Sequence, residues 1–215
     1  MDEKKSPLYT VGEEIFNSVS HGVGACLGIA ELVLLIVFAA IRSNGYGIAS
    51  AIVYGVSLIL LYSMSMVYHI VTNNTAKKVL RIFDHCSIFI LIAGTYTPYL
   101  LMCMTGALRW IMFGFIWGSA LFGILLNAIN LEKFTKISMV CYVVMGWAII
   151  FTIRTIIEAV ALPGVVLLIV GGIVYTVGIL FYALKKYRYM HSVWHLFVLA
   201  GSVCHYLSIL IYVIC

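Results

Sequence analysis

Residues 162–184 read LPGVVLLIVGGIVYTVGILFYAL, a run without a single charged side chain. As a helix rising about 1.5 Å per residue it would be roughly 35 Å long, enough to cross a hydrocarbon core of about 30 Å. Lipid offers no partner to a free backbone N–H or C=O, so a run of this kind is expected to be a transmembrane helix. Pro163 falls in its first turn, where the missing N–H is tolerated. Working outward, comparable runs cover about 19–41, 46–71, 84–104, 108–129, 137–157 and 192–215. Polar breaks separate them, such as Arg42-Ser43-Asn44-Gly45 and Thr72-Asn73-Asn74. The expected fold is therefore an all-α bundle of seven transmembrane helices.

Composition agrees with this reading. Of 215 residues, 64% are hydrophobic and 10% are charged, whereas a soluble domain carries about 45–50% and about 25%. This excludes a soluble enzyme, a disordered tail protein and a separate extramembrane domain. The chain divides into a cytoplasmic N-terminal segment, 1–18, and a membrane domain, 19–215. Lys4, Lys5, Lys77, Lys78, Arg81, Lys133, Lys136, Lys185, Lys186 and Arg188 fall on one side of the seven spans; only Arg42, Arg109 and Arg154 fall on the other. The positive-inside rule then places the N-terminus in the cytoplasm and the C-terminus outside. No basic stretch followed by a short apolar core precedes the first run, so that run is expected to stay in the membrane. The cysteines form no C-x-x-C pair and read as small buried hydrophobes. No surface gathers Lys and Arg with aromatics, so no nucleic-acid partner is expected.

Two glycine pairs, Gly24-x-x-x-Gly28 and Gly114-x-x-x-Gly118, would allow close helix approach. Pro98, within Gly94-Thr95-Tyr96-Thr97-Pro98, is expected to kink or break the third helix.

The histidines carry the functional signal. His21, His69, His85, His191 and His195 all fall at the cytoplasmic ends of spans, beside Asp84. His191 and His195, at i and i+4, share one helix face and suit two ligands of one metal, with His69 and Asp84 level with them on other helices. Ser65 lies one turn before His69 on the same face. Two other readings stay open: interfacial polar tips with Asp84 as a helix cap, and a proton relay. His205, roughly 15 Å deeper than His195 by helix rise, reads as a hydrogen-bonded core residue. Glu31, at mid-span, needs a partner or a proton. Glu13, Asn17 and His21, with Glu14 and Ser20 nearby, read either as support or lid for a metal site or as a solvated helix start.

Taken in order, Glu13-x-x-x-Asn17-Ser18-x-Ser20-His21, Ser65-x-x-x-His69, Phe83-Asp84-His85, Ala93-Gly94-Thr95-Tyr96-Thr97-Pro98 and His191-x-x-x-His195 resemble the hemolysin III family. That family lies within the progestin and adipoQ receptor superfamily and is related to alkaline ceramidases. The resemblance covers essentially the whole chain. It implies a zinc ion held by His69, His191 and His195, with Asp84 holding or activating a water and Ser65 supporting it. It also implies a multi-pass protein of a bacterial plasma membrane.

Zinc bound by three neutral imidazoles can lower the pKa of a bound water to about 7, and Asp84 could act as general base. The expected function is a zinc-dependent hydrolase of a lipid amide or ester at the cytoplasmic leaflet, with a membrane lipid as substrate or ligand. The alternatives are a sensor or regulator of membrane state with a structural zinc, and a hemolysin. Direct pore formation fits poorly, because no span carries a polar stripe wide enough for a channel.

Overall fold

The structure, a computed structural model, describes residues 9–184 and 186–215. Lys4, Lys5 and Lys185 of the charge count, and the first eight residues of the N-terminal segment, lie outside the described residues. Among the described residues the chain is helical, with no strand. The helices are α1 (Val11–Arg42), α2 (Gly45–Ile70), α3 (Asn74–Cys103), α4 (Gly106–Trp147), α5 (Ile153–Ala159), α6 (Leu162–Ala183) and α7 (Met190–Ile209). A tight turn, Ala148–Thr152, joins α4 to α5, and a wide one, Leu210–Ile214, prolongs α7.

Polar residues set the helix starts. Thr10 Oγ1 accepts the Glu13 N–H, and Glu13 Oε2 accepts the Thr10 N–H at 2.8 Å. This reciprocal box satisfies two amides that a helix start would otherwise leave unpaired. Asn44 Oδ1 accepts from Tyr46 and Gly47, and Asn73 Oδ1 from Thr75 and Ala76, so each asparagine caps the helix that follows it.

Six stretches are long and apolar enough to cross a membrane: α1, α2, α3, Gly106–Ala159, α6 and Met190–Ile214. The sequence reading expects seven. The difference lies in Gly106–Ala159, 54 residues long, which holds both expected spans 108–129 and 137–157. Inside it Asn130 leaves helical geometry, with φ −163° and ψ 91°. Its Oδ1 accepts the Lys133 N–H at 3.0 Å, which starts the following turn.

α3 runs unbroken through Pro98, so of the kink or break expected there the break does not occur. Thr95 and Thr97 donate to the carbonyls of Leu91 and Ala93, one turn back. The two glycine pairs behave differently. At Gly24 an added Cβ would lie 2.7 Å from Tyr62 and 2.9 Å from Leu199, and at Gly28 it would meet Ile59 of α2. At Gly114 and Gly118 it would meet nothing within 4 Å.

Hydroxyls join α7 to its neighbours in the interior. Tyr62 and Tyr175 both reach Ser202 Oγ at 2.7 Å, and Tyr99 donates to Ser208 Oγ at 2.7 Å. Such bonds serve as interhelical links where no water competes. His205 belongs to this layer: it is buried and its Nε2 donates to the Leu168 carbonyl at 3.1 Å. Gly171 passes against its ring, where a Cβ would come 2.3 Å from His205 Cδ2. Glu31 is half-buried, and no hydrogen bond or ion pair reaches it among the described residues.

Candidate metal centre

His69 stands at the last turn of α2, and His191 and His195 on the first turns of α7. One ring nitrogen from each lies within 4.8 Å of the others, a group that could hold a metal ion. His191 Nε2 and His195 Nε2 are 3.1 Å apart. Two imidazole nitrogens at tetrahedral corners around zinc, each about 2.0–2.1 Å from it, would be roughly 3.3 Å apart. The donor set therefore fits a small, nitrogen-preferring cation such as zinc, although the structure does not identify the metal.

Two of the three imidazoles, His69 and His195, are aimed by a partner on the other ring nitrogen, and His191 is stacked against Tyr9. The His69 Nδ1–H donates to Glu14 Oε2 at 2.6 Å. Lys77 Nζ holds the other carboxylate oxygen, Glu14 Oε1, at 2.7 Å. Fixing Nδ1–H as the donor leaves the Nε2 lone pair for a ligand bond. That Nε2 is buried and has no hydrogen-bond partner among the described residues. His195 Nδ1 lies 3.2 Å from the Asn17 carbonyl and 3.3 Å from Ser20 Oγ, which likewise turns its Nε2 inward. The Tyr9 ring stacks on His191, with centroids 4.8 Å apart. Burial pushes the Tyr9 hydroxyl far above its ordinary range, so it remains a neutral phenol over the cluster.

The N-terminal turn of α1 thus belongs to the site. Ser192 donates to Asn17 Oδ1 at 2.6 Å, and the Tyr189 N–H donates to Glu13 Oε1 at 2.7 Å. Tyr189 sits in the left-handed region, φ 60° and ψ 4°, at the start of α7. A non-glycine residue there costs about 1–2 kcal/mol, and the bond to Glu13 helps hold it. His21 stacks almost parallel on His195, with centroids 3.6 Å apart and an angle of 11°. Both His21 nitrogens are buried without a partner among the described residues, and His21 is not one of the three grouped ligands.

Asp84 is also outside that group. Its side chain is 13% exposed, with Oδ2 3.6 Å from His85 Nδ1. Asp84, Ser65, His191 and His195 line one end of a cavity of about 160 Å³. Ser65 Oγ is buried and has no partner among the described residues. Beyond this end the cavity runs between apolar walls, including Leu91, Ile92, Val143, Ile179 and Val198, as far as Tyr175 and His205. One end thus offers imidazoles, a carboxylate and a hydroxyl, while the rest suits an aliphatic chain.

The sequence reading picks out His69, His191, His195, Asp84 and Ser65, and the structure brings all five to this end of the bundle. Sequence reasoning did not single out Tyr9, or Glu14 as the partner of His69. It also counts Lys77 among the charges that set topology, whereas Lys77 is engaged with Glu14 and with the Val71 carbonyl.

Known proteins show the same extent of likeness. Residues 9–206 match a family described as Haemolysin-III related. Hemolysin-3 of Bacillus cereus is 41% identical over 204 residues, covering 95% of this chain and 93% of that protein. A hemolysin-3 homolog of Bacillus subtilis is 40% identical, over 95% and 96% of the two chains. The human monocyte to macrophage differentiation factor is 30% identical over 168 residues, 74% of this chain and 68% of that protein. With its six membrane-length apolar helices, the chain is a multi-pass bacterial membrane protein and belongs to the Haemolysin-III related family.

Proposed function

We propose that this chain is a membrane-embedded zinc hydrolase acting on an amide or ester of a lipid at the cytoplasmic leaflet. The observation that carries the proposal is the unpartnered Nε2 of buried His69, held toward His191 and His195 where an apolar cavity meets Asp84 and Ser65. In this reading the chain crosses the membrane seven times, with Asn130, Lys133 and Lys136 at a turn inside Gly106–Ala159. Two crossings in that stretch suit its length, since about 20 residues suffice for one. The charge asymmetry then sets the N-terminus, and the site, on the cytoplasmic side.

His69, His191 and His195 would hold the ion, with His69 and His195 fixed from behind by Glu14 and the Asn17 carbonyl. When bound, zinc supplies Lewis acidity and a water that ionises near neutral pH. Asp84 accepts the proton of the attacking water and passes it to the leaving amine or alkoxide. Ser65 donates a hydrogen bond to an oxygen in the same pocket. The apolar walls hold the acyl chain and exclude bulk water. Three protein ligands with one open position are characteristic of catalytic rather than structural zinc. A lytic effect of the kind that names the Bacillus cereus relative would follow indirectly, from altered lipids.

Mass spectrometry of untagged, detergent-purified protein is expected to find about one zinc per chain, lost in His191→Ala/His195→Ala. Asp84→Asn is expected to keep the metal while lipid hydrolysis falls by about 10²–10⁴-fold. Normal turnover in Asp84→Asn would remove it as the base. Zinc whose chelation unfolds the protein, with no hydrolysis of any acyl lipid, would favour the structural-ion reading.

A further inference from the structure

The cavity end at the histidines adjoins a second, more open recess. Arg81, Glu132, Thr135, Lys136, Met139 and Tyr182 line it. Thr135, Met139 and Tyr182 also line the cavity, so the two spaces lie side by side and share a wall. Tyr182 stands at the junction. Its hydroxyl is 3.2 Å from His85 Nε2, and its ring centroid is 5.7 Å from that of His191.

Two cations, Arg81 and Lys136, lie in this recess against one anion, Glu132. The Glu132 carboxylate is 84% exposed and 3.9 Å from the Arg81 guanidinium, a weak and screened contact that a better anion can displace. Lys136 has no hydrogen bond or ion pair among the described residues. The neighbouring Lys77, by contrast, is committed to Glu14. Arg81 precedes Asp84 by three residues, about one helical turn and roughly 4.5 Å along α3, on the same face.

We infer that Arg81 and Lys136 form a subsite for the anionic headgroup of a membrane lipid whose acyl chain occupies the cavity. This deepens the hydrolase reading and rests on it for the placement of the acyl carbonyl. A phosphate at Arg81 and an acyl carbonyl level with Asp84 are separated by a distance that a glycerol unit spans. The planar guanidinium can pair two phosphate oxygens at once, and the Lys136 ammonium adds a mobile second charge. The chain therefore selects a lipid whose phosphate headgroup carries net negative charge over a zwitterionic or neutral one.

Equilibrium binding tests this without turnover, so its failure and the failure of the hydrolase reading are separable. Trp147 and Trp194 line the cavity, so a short-chain lipid brominated on its acyl tail should quench their fluorescence. In neutral detergent, brominated phosphatidylglycerol is expected to quench at about tenfold lower concentration than brominated phosphatidylcholine. Arg81→Gln/Lys136→Gln should abolish that preference, while Lys78→Gln/Lys133→Gln, which removes equal charge from the same face, should keep it. Arg81→Glu/Lys136→Glu should instead favour a brominated lipid with a trimethylammonium headgroup, an outcome that an unfolded variant could not give. No preference in the wild type, or equal loss in both glutamine variants, would overturn the subsite. Competition by inorganic phosphate alone, dependent on the same two residues, would assign the site to free phosphate and overturn its lipid role. His191→Ala/His195→Ala should retain the preference, because the subsite does not need the metal.

Discussion

The bundle has a tight half and a loose half. α2, α3 and Met190–Ile214 bury 50%, 67% and 44% of their most apolar stretches, while α1, Gly106–Ala159 and α6 each bury 28%. α1 joins the tight half along its seam with α2 and through its bonds to α7. Gly24 and Gly28 let α1 close onto α2, yet the same motif at Gly114 and Gly118 faces open space. All the residues proposed to bind the metal or act on the attacking water stand on the tight half: His69 and Ser65 on α2, Asp84 on α3, His191 and His195 on α7. The loose half supplies walls, such as Val143, Ile169 and Ile179. Ligand atoms must be held to fractions of an ångström, which only locked neighbours can do. A wall that receives a flexible chain has no such need.

The largest effect expected on this contrast comes from the hydrogen bond behind His69. Glu14→Gln should weaken metal binding by about 10–100-fold, read by competition with a chromogenic chelator. An unchanged affinity would mean that packing alone fixes the imidazole. Next, Gly24→Val would press a side chain into Tyr62 and Leu199. A loss of about 1–3 kcal/mol in reversible unfolding from detergent is expected. The smallest effect belongs to Gly114→Val, within about 0.5 kcal/mol of wild type. Equal losses at the two glycines would erase the distinction between the halves.

Much of this was legible in the sequence because membranes impose strong rules. Uncharged runs of about 20 residues locate helices, and histidine spacing on a helix face places His191 with His195. The number of crossings is harder. The sequence already divides this stretch between the runs 108–129 and 137–157, and Asn130, where the backbone leaves helical geometry, falls between them, although the helix Gly106–Trp147 is otherwise continuous. Small-residue motifs permit close approach without enforcing it, so Gly24 and Gly114 read alike until a neighbour is known. Glu14 read equally as support for a metal site and as a solvated first-turn carboxylate, the common fate of such residues. Its partner, His69, lies 55 residues away, and no periodicity connects them. Pro98 was expected to kink or break α3, and the helix continues through it without a break, beside threonines bonded one turn back.

The bonds from α1 to the start of α7 also fix an order of events during synthesis. Glu13, Asn17 and Ser20 are made long before their partners. Tyr189, Ser192 and His195, which they contact, follow only after α2 to α6 have been made. His69 can find Glu14 as soon as the second helix inserts, but its fellow ligands do not yet exist. Assembly of the three-histidine group must therefore wait for α7, so a chain truncated before residue 191 would insert most of its helices and still be unable to form it.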